Sequence, residues 1–298
     1  MGFANLFKNS AKPLESVGNI RIMGDRSAGK TAYIASLAYW PNANPATPVQ
    51  SVTPLGDQDA GAFLIDIARN VLEEGLTLAP TDLEDVFSIK DYRLSIVLKD
   101  RYSLGQLGSG LIKLNINCKD YSGELFRDLI HKANDQRLQE YIEDCLVAEG
   151  ILLLIDGTAY RLDAQYADGL EKFLKILERS DLGKRKRRIA VTLNKCDQPQ
   201  LWVSRHQPRE LAARRFPLMV KKLEYWSNGG GGGVDYFTAS AFGMMGNIDP
   251  EPNSKIIKRD KSGTTCVIKE PKLWRPFGLV SPIYWLCTGQ RHQDLDRD

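Results

Sequence analysis

The sequence predicts an α/β fold, a mostly parallel sheet of about six strands flanked by helices. Three observations predict it. Short β-branched runs alternate with longer amphipathic ones, the pattern of βαβ units. The run "ILLLI" at 151–155 is apolar at every position, as a central strand covered on both faces must be. A glycine-rich turn, "GDRSAGKT", separates the first strand-like run from the first helix-like run.

In chain order, strands are expected near 19–24 ("NIRIMG"), 92–98 ("YRLSIVL"), 111–118 ("LIKLNINC"), 150–157 ("GILLLIDG"), 187–194 ("RRIAVTLN") and 234–240 ("VDYFTAS"). Helical spacing of apolar residues covers 30–39, 59–75, 124–148, 164–180, 209–227 and 278–288. Pro282 inside the last run implies a first turn or a kink. "WPNANPATPVQ" reads as a loop, "SNGGGGGV" as a flexible loop, and "GNIDPEPNSKIIKRDKSGTTCVIKEP" as a loop with a hairpin insertion around a Lys-Ser-Gly turn. The domain organisation is an N-terminal segment over 1–18 and one domain over 19–298, with insertions at about 41–90 and 244–276. The basic run "GKRKRR" at 183–188 reads as a solvated loop.

Bulk properties narrow the function. An apolar fraction of 43% supports a sizeable core. A net charge of +3 gives no electrostatic reason to expect a nucleic-acid partner. Five cysteines without a C-x-x-C pair suit reduced thiols, and three scattered histidines argue against a His-based metal site. The start carries no basic stretch followed by an apolar one, and "ILLLI" is too short to span a bilayer. The expected compartment is the cytoplasm.

The chemistry lies in four short stretches. "GDRSAGKT" comprises Gly24, Asp25, Arg26, Ser27, Ala28, Gly29, Lys30 and Thr31, and matches G-x-x-x-x-G-K-[ST] in full. Such a loop wraps backbone N–H groups around phosphate oxygens at a helix N-terminus. Lys30 would reach the β- and γ-phosphates, and Thr31 would ligate Mg²⁺. "NKCD" follows the fifth strand-like run. The carboxylate of Asp197 can accept from guanine N1–H and the 2-amino group, which adenine cannot offer. Lys195 would pack along the base, and Asn194 would tie this loop to the first. In "KDYSGE", Asp120 would hold Mg²⁺ through a water and the Gly123 N–H would bond the γ-phosphate. In "TASAF", Ser240 and Ala241 end the last strand, where the Ala241 N–H would read guanine O6.

With "GDRSAGKT", "DYSG", "NKCD" and "SA" in that order, each after a strand, the sequence resembles the P-loop GTPase family, the class of translation factors and of Ras-like and Arf-like switches. The resemblance covers roughly residues 19–243. It implies binding of GTP and GDP with Mg²⁺, a conformational switch on hydrolysis, and an effector or activating protein as partner. It also implies a switch threonine completing Mg²⁺ coordination. Thr47, Thr53, Thr77 and Thr81 are the candidates, with Thr81 favoured by its position before the strand pair leading into "KDYSGE" and Thr47 second. Thr31 and Asp120 stand about 90 residues apart, a wider gap than in small Ras-like switches. The layout is closer to bacterial GTPase-like families with a helical insertion before that threonine.

The catalytic set is Lys30 with Arg26 and Glu124. Glu124 occupies the place where many such sensors carry a water-orienting glutamine, and three roles are open to it. It can polarise water, it can start the following helix, where a carboxylate is favourable by about 0.3–1 kcal/mol, or it can leave the work to another group. Arg26 would be that group, a cation inside the phosphate loop. "GDRSAGKT" is also similar to dynamin-like loops, in which dimerisation across the nucleotide face activates hydrolysis. Slow or assisted hydrolysis is therefore expected. The alternatives are a non-hydrolysing GTP-binding scaffold and a dimerisation-activated enzyme. Phe3, Leu6 and Phe7 fall at helical spacing and offer a peripheral membrane contact, marginal without an acyl chain.

Overall fold

The computed structural model describes residues 14–39, 48–55, 69–70, 90–100, 110–120, 125–132, 134–181, 187–246, 248–260 and 263–296. Seven strands form the main sheet: β1 (Leu14–Met23), β2 (Val49–Pro54), β3 (Lys90–Asp100), β4 (Gly110–Asp120), β5 (Gly150–Asp156), β6 (Arg187–Asn194) and β7 (Gly232–Thr238). Their order is β2-β3-β4-β1-β5-β6-β7. The five from β4 to β7 run parallel, and β3 and β2 pair antiparallel at one side. All six expected strands are present. The seventh, β2, lies in a stretch read as loop and insertion. Its flank of Pro and Asn hides a short alternation in which Val49 is buried and Gln50 exposed, and Pro54 is tolerated because β2 is an edge.

"ILLLI" behaves as its composition requires. Ile151, Leu153 and Ile155 enter one core, and Leu152 and Leu154 the other, all at most 1% exposed. The first core lies under α2 (Leu125–His131), α3 (Gln136–Val147), α4 (Asp163–Asp181), α5 (Pro208–Arg215) and α6 (Pro217–Asn228). The second lies under α1 (Lys30–Tyr39) and α7 (Ser281–Thr288), with Tyr33, Ile34, Ile283 and Trp285.

Two expected helices are each broken in two. The run 124–148 divides at Asp135, whose carboxylate caps α3 by accepting from the Leu138 N–H at 3.0 Å. The run 209–227 divides at Phe216, forced out of helical backbone by Pro217. Asp163, the first residue of α4, accepts from the N–H groups of Leu218 and Met219 at 2.9 and 3.0 Å, capping α6 from another element. Pro282 sits in the first turn of α7. Of the run 59–75 only residues 69–70 are described, and they are helical; the rest, like residues 1–13, lies outside the described residues.

Two further readings are corrected. The glycine run is not a free loop. Gly229 ends α6, and Gly232 and Gly233 enter β7 opposite Arg187 and Arg188. A Cβ on Gly231 would come within 2.2 Å of the Trp226 ring; absent side chains there let the indole lie against backbone. The basic run does not end in solvent either. Arg187 is 2% exposed and donates to the carbonyls of Cys145, Leu146 and Ala148 at the end of α3, where the Cys145 carbonyl also accepts from the Ala148 N–H. Arg188 points to the opposite face of the sheet and donates to the Leu286 carbonyl at 2.7 Å. Each cation closes a helix C-terminus, where the helix dipole also favours positive charge.

Arg187→Ala removes the side-chain donor from three carbonyls, of which that of Cys145 keeps the Ala148 N–H. It should lower the unfolding free energy by about 2–4 kcal/mol, read from urea denaturation midpoints. Arg188→Ala, at a half-buried site with one such bond, should cost about 1 kcal/mol or less.

Candidate nucleotide site

The site forms where β1, β5, β6 and β7 end. Gly24 follows β1, and a Cβ there would stand 2.3 Å from the Leu154 carbonyl oxygen of β5, so only glycine lets the chain turn this close to its neighbour. The turn that follows is closed by the Ala28 N–H on the Asp25 carbonyl at 3.1 Å. Ser27 (φ 69°) and Gly29 (φ 84°) are both left-handed. Such alternation turns successive N–H groups toward one concave side, the geometry of an anion nest. Ser27 holds this conformation without being glycine, at a cost on the order of 1–3 kcal/mol. Lys30, 8% exposed, reaches back across the loop to the Gly24 and Asp25 carbonyls at 2.9 and 3.1 Å. Thr31 is the second residue of α1, half-buried, and Arg26 is exposed.

This is a P-loop NTPase fold. The strand–loop–helix unit sits on the central strand, and the sheet order around it places two further loops at the same end.

The first of those loops follows β6. The Asn194 side-chain N–H donates to the Ala28 carbonyl at 2.8 Å, joining it to the P-loop. Lys195 is left-handed (φ 61°), and its ammonium pairs with Asp156 at 2.5 Å. Asp156 ends β5 and also accepts from the N–H and hydroxyl of Thr158. Cys196 is turned into the core, where burial pushes its thiol up to about 12, so it is inert as a nucleophile. Asp197 is 2% exposed. One of its oxygens accepts from the Ser240 hydroxyl at 2.7 Å, the other from the Gln198 amide at 3.1 Å. Burial pushes its carboxyl pKa up, and the hydrogen bond from Ser240 works in the opposite direction.

The second loop follows β7. The Ser240 hydroxyl accepts from the N–H groups of Phe242 and Gly243. The Ala241 carbonyl is held by Ser36 of α1 at 3.1 Å and by the Trp274 indole at 2.8 Å. Among the described residues the Ala241 N–H makes no hydrogen bond, while those of its neighbours Ser240, Phe242 and Gly243 are all taken.

The structure thus brings together Gly24 to Thr31, Asn194 to Asp197, and Ser240 with Ala241. The Asp120 backbone is in register with Ile22, two residues before the P-loop, and with Lys90. Its side chain, Gly123, Glu124, Thr81, Thr77 and Thr47 lie outside the described residues. Thr53 stands on β2, paired with Ser95. Among the described residues no three His, Cys, Asp or Glu side chains are grouped to hold a metal ion, and no helix is long and apolar enough to cross a membrane.

Sequence reading missed three supports. Asp156 anchors Lys195, and Trp274 and Ser36 orient the Ala241 peptide; no local signal marks any of these partners. The third is Asp25. Its buried carboxylate accepts from the Phe126 N–H at 2.9 Å and from Gln165 at 3.5 Å. It therefore caps α2, the helix after "KDYSGE", from inside the P-loop.

No protein-family model and no curated protein matches the chain. Among solved structures it is similar to an ADP-ribosylation factor-like GTP-binding protein, the small COPII coat GTPase SAR1 from Encephalitozoon cuniculi, in complex with GDP. The identity is 13%, over 78% of this chain and 70% of that one, with a TM-score of 0.33. It is similar to the Ski7 GTPase-like domain of S. cerevisiae bound to GTP, at 15% identity over 77% of this chain and 43% of that one, TM-score 0.37. It is also similar to an Era variant from Aquifex aeolicus bound to GDP and AlF4⁻, at 15% identity over 76% and 52%, TM-score 0.31. At such values the likeness carries no argument about function; the loops do.

Asp25→Ala removes the acceptor at the start of α2. Amides of residues 126–129 should exchange faster, and the unfolding free energy should fall by about 0.5–2 kcal/mol, whereas Asp25→Asn, which keeps an acceptor oxygen, should restore most of the protection.

Proposed function

We propose that this protein binds GTP and GDP and acts as a nucleotide-dependent switch, hydrolysing GTP slowly or with assistance. One observation carries the reading: a buried carboxylate, Asp197, lies beside an unpaired backbone N–H, Ala241, and one hydrogen bond from Asn194 ties this pair to the P-loop. A carboxylate accepting two N–H groups with an N–H facing a carbonyl is the complement of guanine's edge. Adenine offers that carboxylate neither N–H and turns its unprotonated N1 toward it, a cost on the order of 2–5 kcal/mol in a closed site.

In this reading the P-loop amides and Lys30 bind the phosphates. Thr31 and Asp120 would hold Mg²⁺, which supplies charge neutralisation between the β- and γ-phosphates. The second residue of α1 and the last residue of β4 both adjoin the P-loop, which supports this assignment. Thr81 is proposed as the switch hydroxyl and Gly123 as the reporter of the γ-phosphate. An effector or activating protein would meet the insertions at 41–90 and 244–276.

A second reading is favoured by the exposure of Arg26. A cation held at the rim of a phosphate loop can serve its own site or that of a second copy facing it. Turnover per molecule should then rise with protein concentration, and Arg26→Ala should abolish the rise. Fast turnover that is independent of concentration and survives Arg26→Ala would sink both this reading and slow intrinsic hydrolysis.

The raised pKa of Asp197 gives a signed pH dependence. Guanine needs the carboxylate ionised, so affinity for mant-GDP should fall as the pH is lowered, beginning at a higher pH than an ordinary carboxyl would dictate and falling about tenfold per pH unit below its pKa. The same protonation relieves the buried charge, so the nucleotide-free fold should gain stability from this group over the same window. Asp197→Asn should remove both dependences and shift preference from GTP to xanthosine triphosphate in competition binding.

A further inference from the structure

The insertion at 244–276 contains a two-stranded hairpin, β8 (Ser254–Asp260) and β9 (Gly263–Ile268), that is separate from the main sheet. We propose that this hairpin docks the protein on an anionic lipid surface.

Its base is rigid. Asn253 is fully buried. Its N–H bonds the Gly243 carbonyl at 3.0 Å, its side-chain amide donates to the Glu270 carbonyl at 3.0 Å, and its side-chain oxygen accepts from the Glu270 N–H at 2.9 Å. Val267 and Ile268 are each 7% exposed at the end of β9. The outer part is the reverse. Ile256 and Ile257 are 54% and 50% exposed although they are neighbours in one strand. Regular alternation turns neighbours to opposite faces, and a hairpin lying on a body buries one of the two. Here the register slips between Ile256 and Lys258, leaving Ile257 without a cross-strand partner. Such a bulge re-aims side chains and bends the strand.

The charge around these isoleucines selects the surface. From Ser254 to Ile268 the chain carries Lys255, Lys258, Arg259 and Lys261 against Asp260 alone. That net of +3 equals the net charge of all 298 residues. An exposed pair of aliphatic side chains with lysines on both sides in the sequence, Lys255 and Lys258, suits an interface into which the apolar groups sink while lysine stems extend to the headgroups. Two isoleucines bind a bilayer marginally by themselves. Each nearby cation adds attraction only if the lipid is anionic. The hairpin is therefore a charge-dependent contact. It is distinct from the N-terminal segment with Phe3, Leu6 and Phe7, and it does not rest on nucleotide binding.

The test is co-sedimentation of the full chain with phosphatidylcholine vesicles, with and without phosphatidylglycerol. Wild type should sediment with the anionic vesicles at low salt, lose that binding as salt is raised, and stay in solution with phosphatidylcholine alone. Ile256→Glu with Ile257→Glu, and separately Lys255→Glu with Lys258→Glu, should each reduce the bound fraction about tenfold while thermal melting stays at the wild-type temperature. The proposal is overturned by hairpin variants that bind like wild type, by equal binding to neutral vesicles, or by no sedimentation at all. It is also overturned if Phe3→Glu, Leu6→Glu and Phe7→Glu abolish binding and the hairpin variants do not. Capture by soluble polyglutamate without vesicle binding, lost in the hairpin variants, would instead make this an acidic-protein contact.

Discussion

The hydrogen bond from the Asn194 side chain to the Ala28 carbonyl holds the site together. Two loops 166 residues apart in sequence meet there, and each depends on the other's shape. Gly29 must be glycine both because its backbone is left-handed and because a Cβ would stand 2.6 Å from the Asn194 amide. Gly24 must be glycine because β1 ends against the Leu154 carbonyl. Parallel strands β1, β5 and β6 bring these loops to one end of the sheet, where open α/β folds place their ligands. The bond ties the nest of the P-loop to the loop that carries the Asp197 carboxylate, which we propose reads the base.

Among the described residues, a site shaped for an anion nevertheless contains three acidic side chains, and the structure sorts them by what each one faces. Asp25 is turned away from the nest to the amide at the start of α2. Asp156 is matched by the Lys195 ammonium and the Thr158 N–H and hydroxyl. Asp197 accepts from two neutral groups, the Ser240 hydroxyl and the Gln198 amide. Burial then dominates, and its pKa rises. A carboxylate with neutral donors in a closed site keeps acceptor strength for a ligand, at the expense of being easily protonated. Asp156, with the Lys195 ammonium as its partner, acts as structure.

Much of this was legible in the sequence because it is local. Gly24 to Thr31, Asn194 to Asp197 and Ser240–Ala241 each occupy one turn at a strand end, and "ILLLI" declares a doubly covered strand without reference to any other segment. Some of what escaped reading depends on partners distant in sequence. Arg187 is basic like the residues before it, and only the position of α3 makes it a buried cap. Five glycines look flexible until the Trp226 ring is found lying on them. The strand β2 is short, ends in proline and belongs to the edge, so its local pattern is weak. Helices α3 and α6 were joined to their neighbours because amphipathic spacing continues across Asp135 and Pro217, although both are recognisable stop or start residues. For Arg187 a long-range contact decided against what composition favoured, whereas for the glycines and the two helix breaks a residue within a few positions did.

The same distinction bears on Glu124. A carboxylate just before a helix is ordinarily explained by the unpaired amides of the first turn. At α2 the Phe126 amide is already satisfied, and by the carboxylate of Asp25, which arrives from the P-loop across 101 residues of sequence. The helix start is thus tied to the loop that holds Lys30, while the strand on the other side of "DYSGE" is in register with Ile22. Both ends of the sensor stretch are fixed to the four residues that run from β1 into the P-loop. If the proposed role in sensing the γ-phosphate holds, a response would lie between those two anchors or break one of them. The weaker anchor is a single hydrogen bond to a side chain, whereas the other is a strand pairing nine residues long. The start of α2, with Asp25 as its hinge partner, is where a change in the phosphate loop would first become a change in the rest of the molecule.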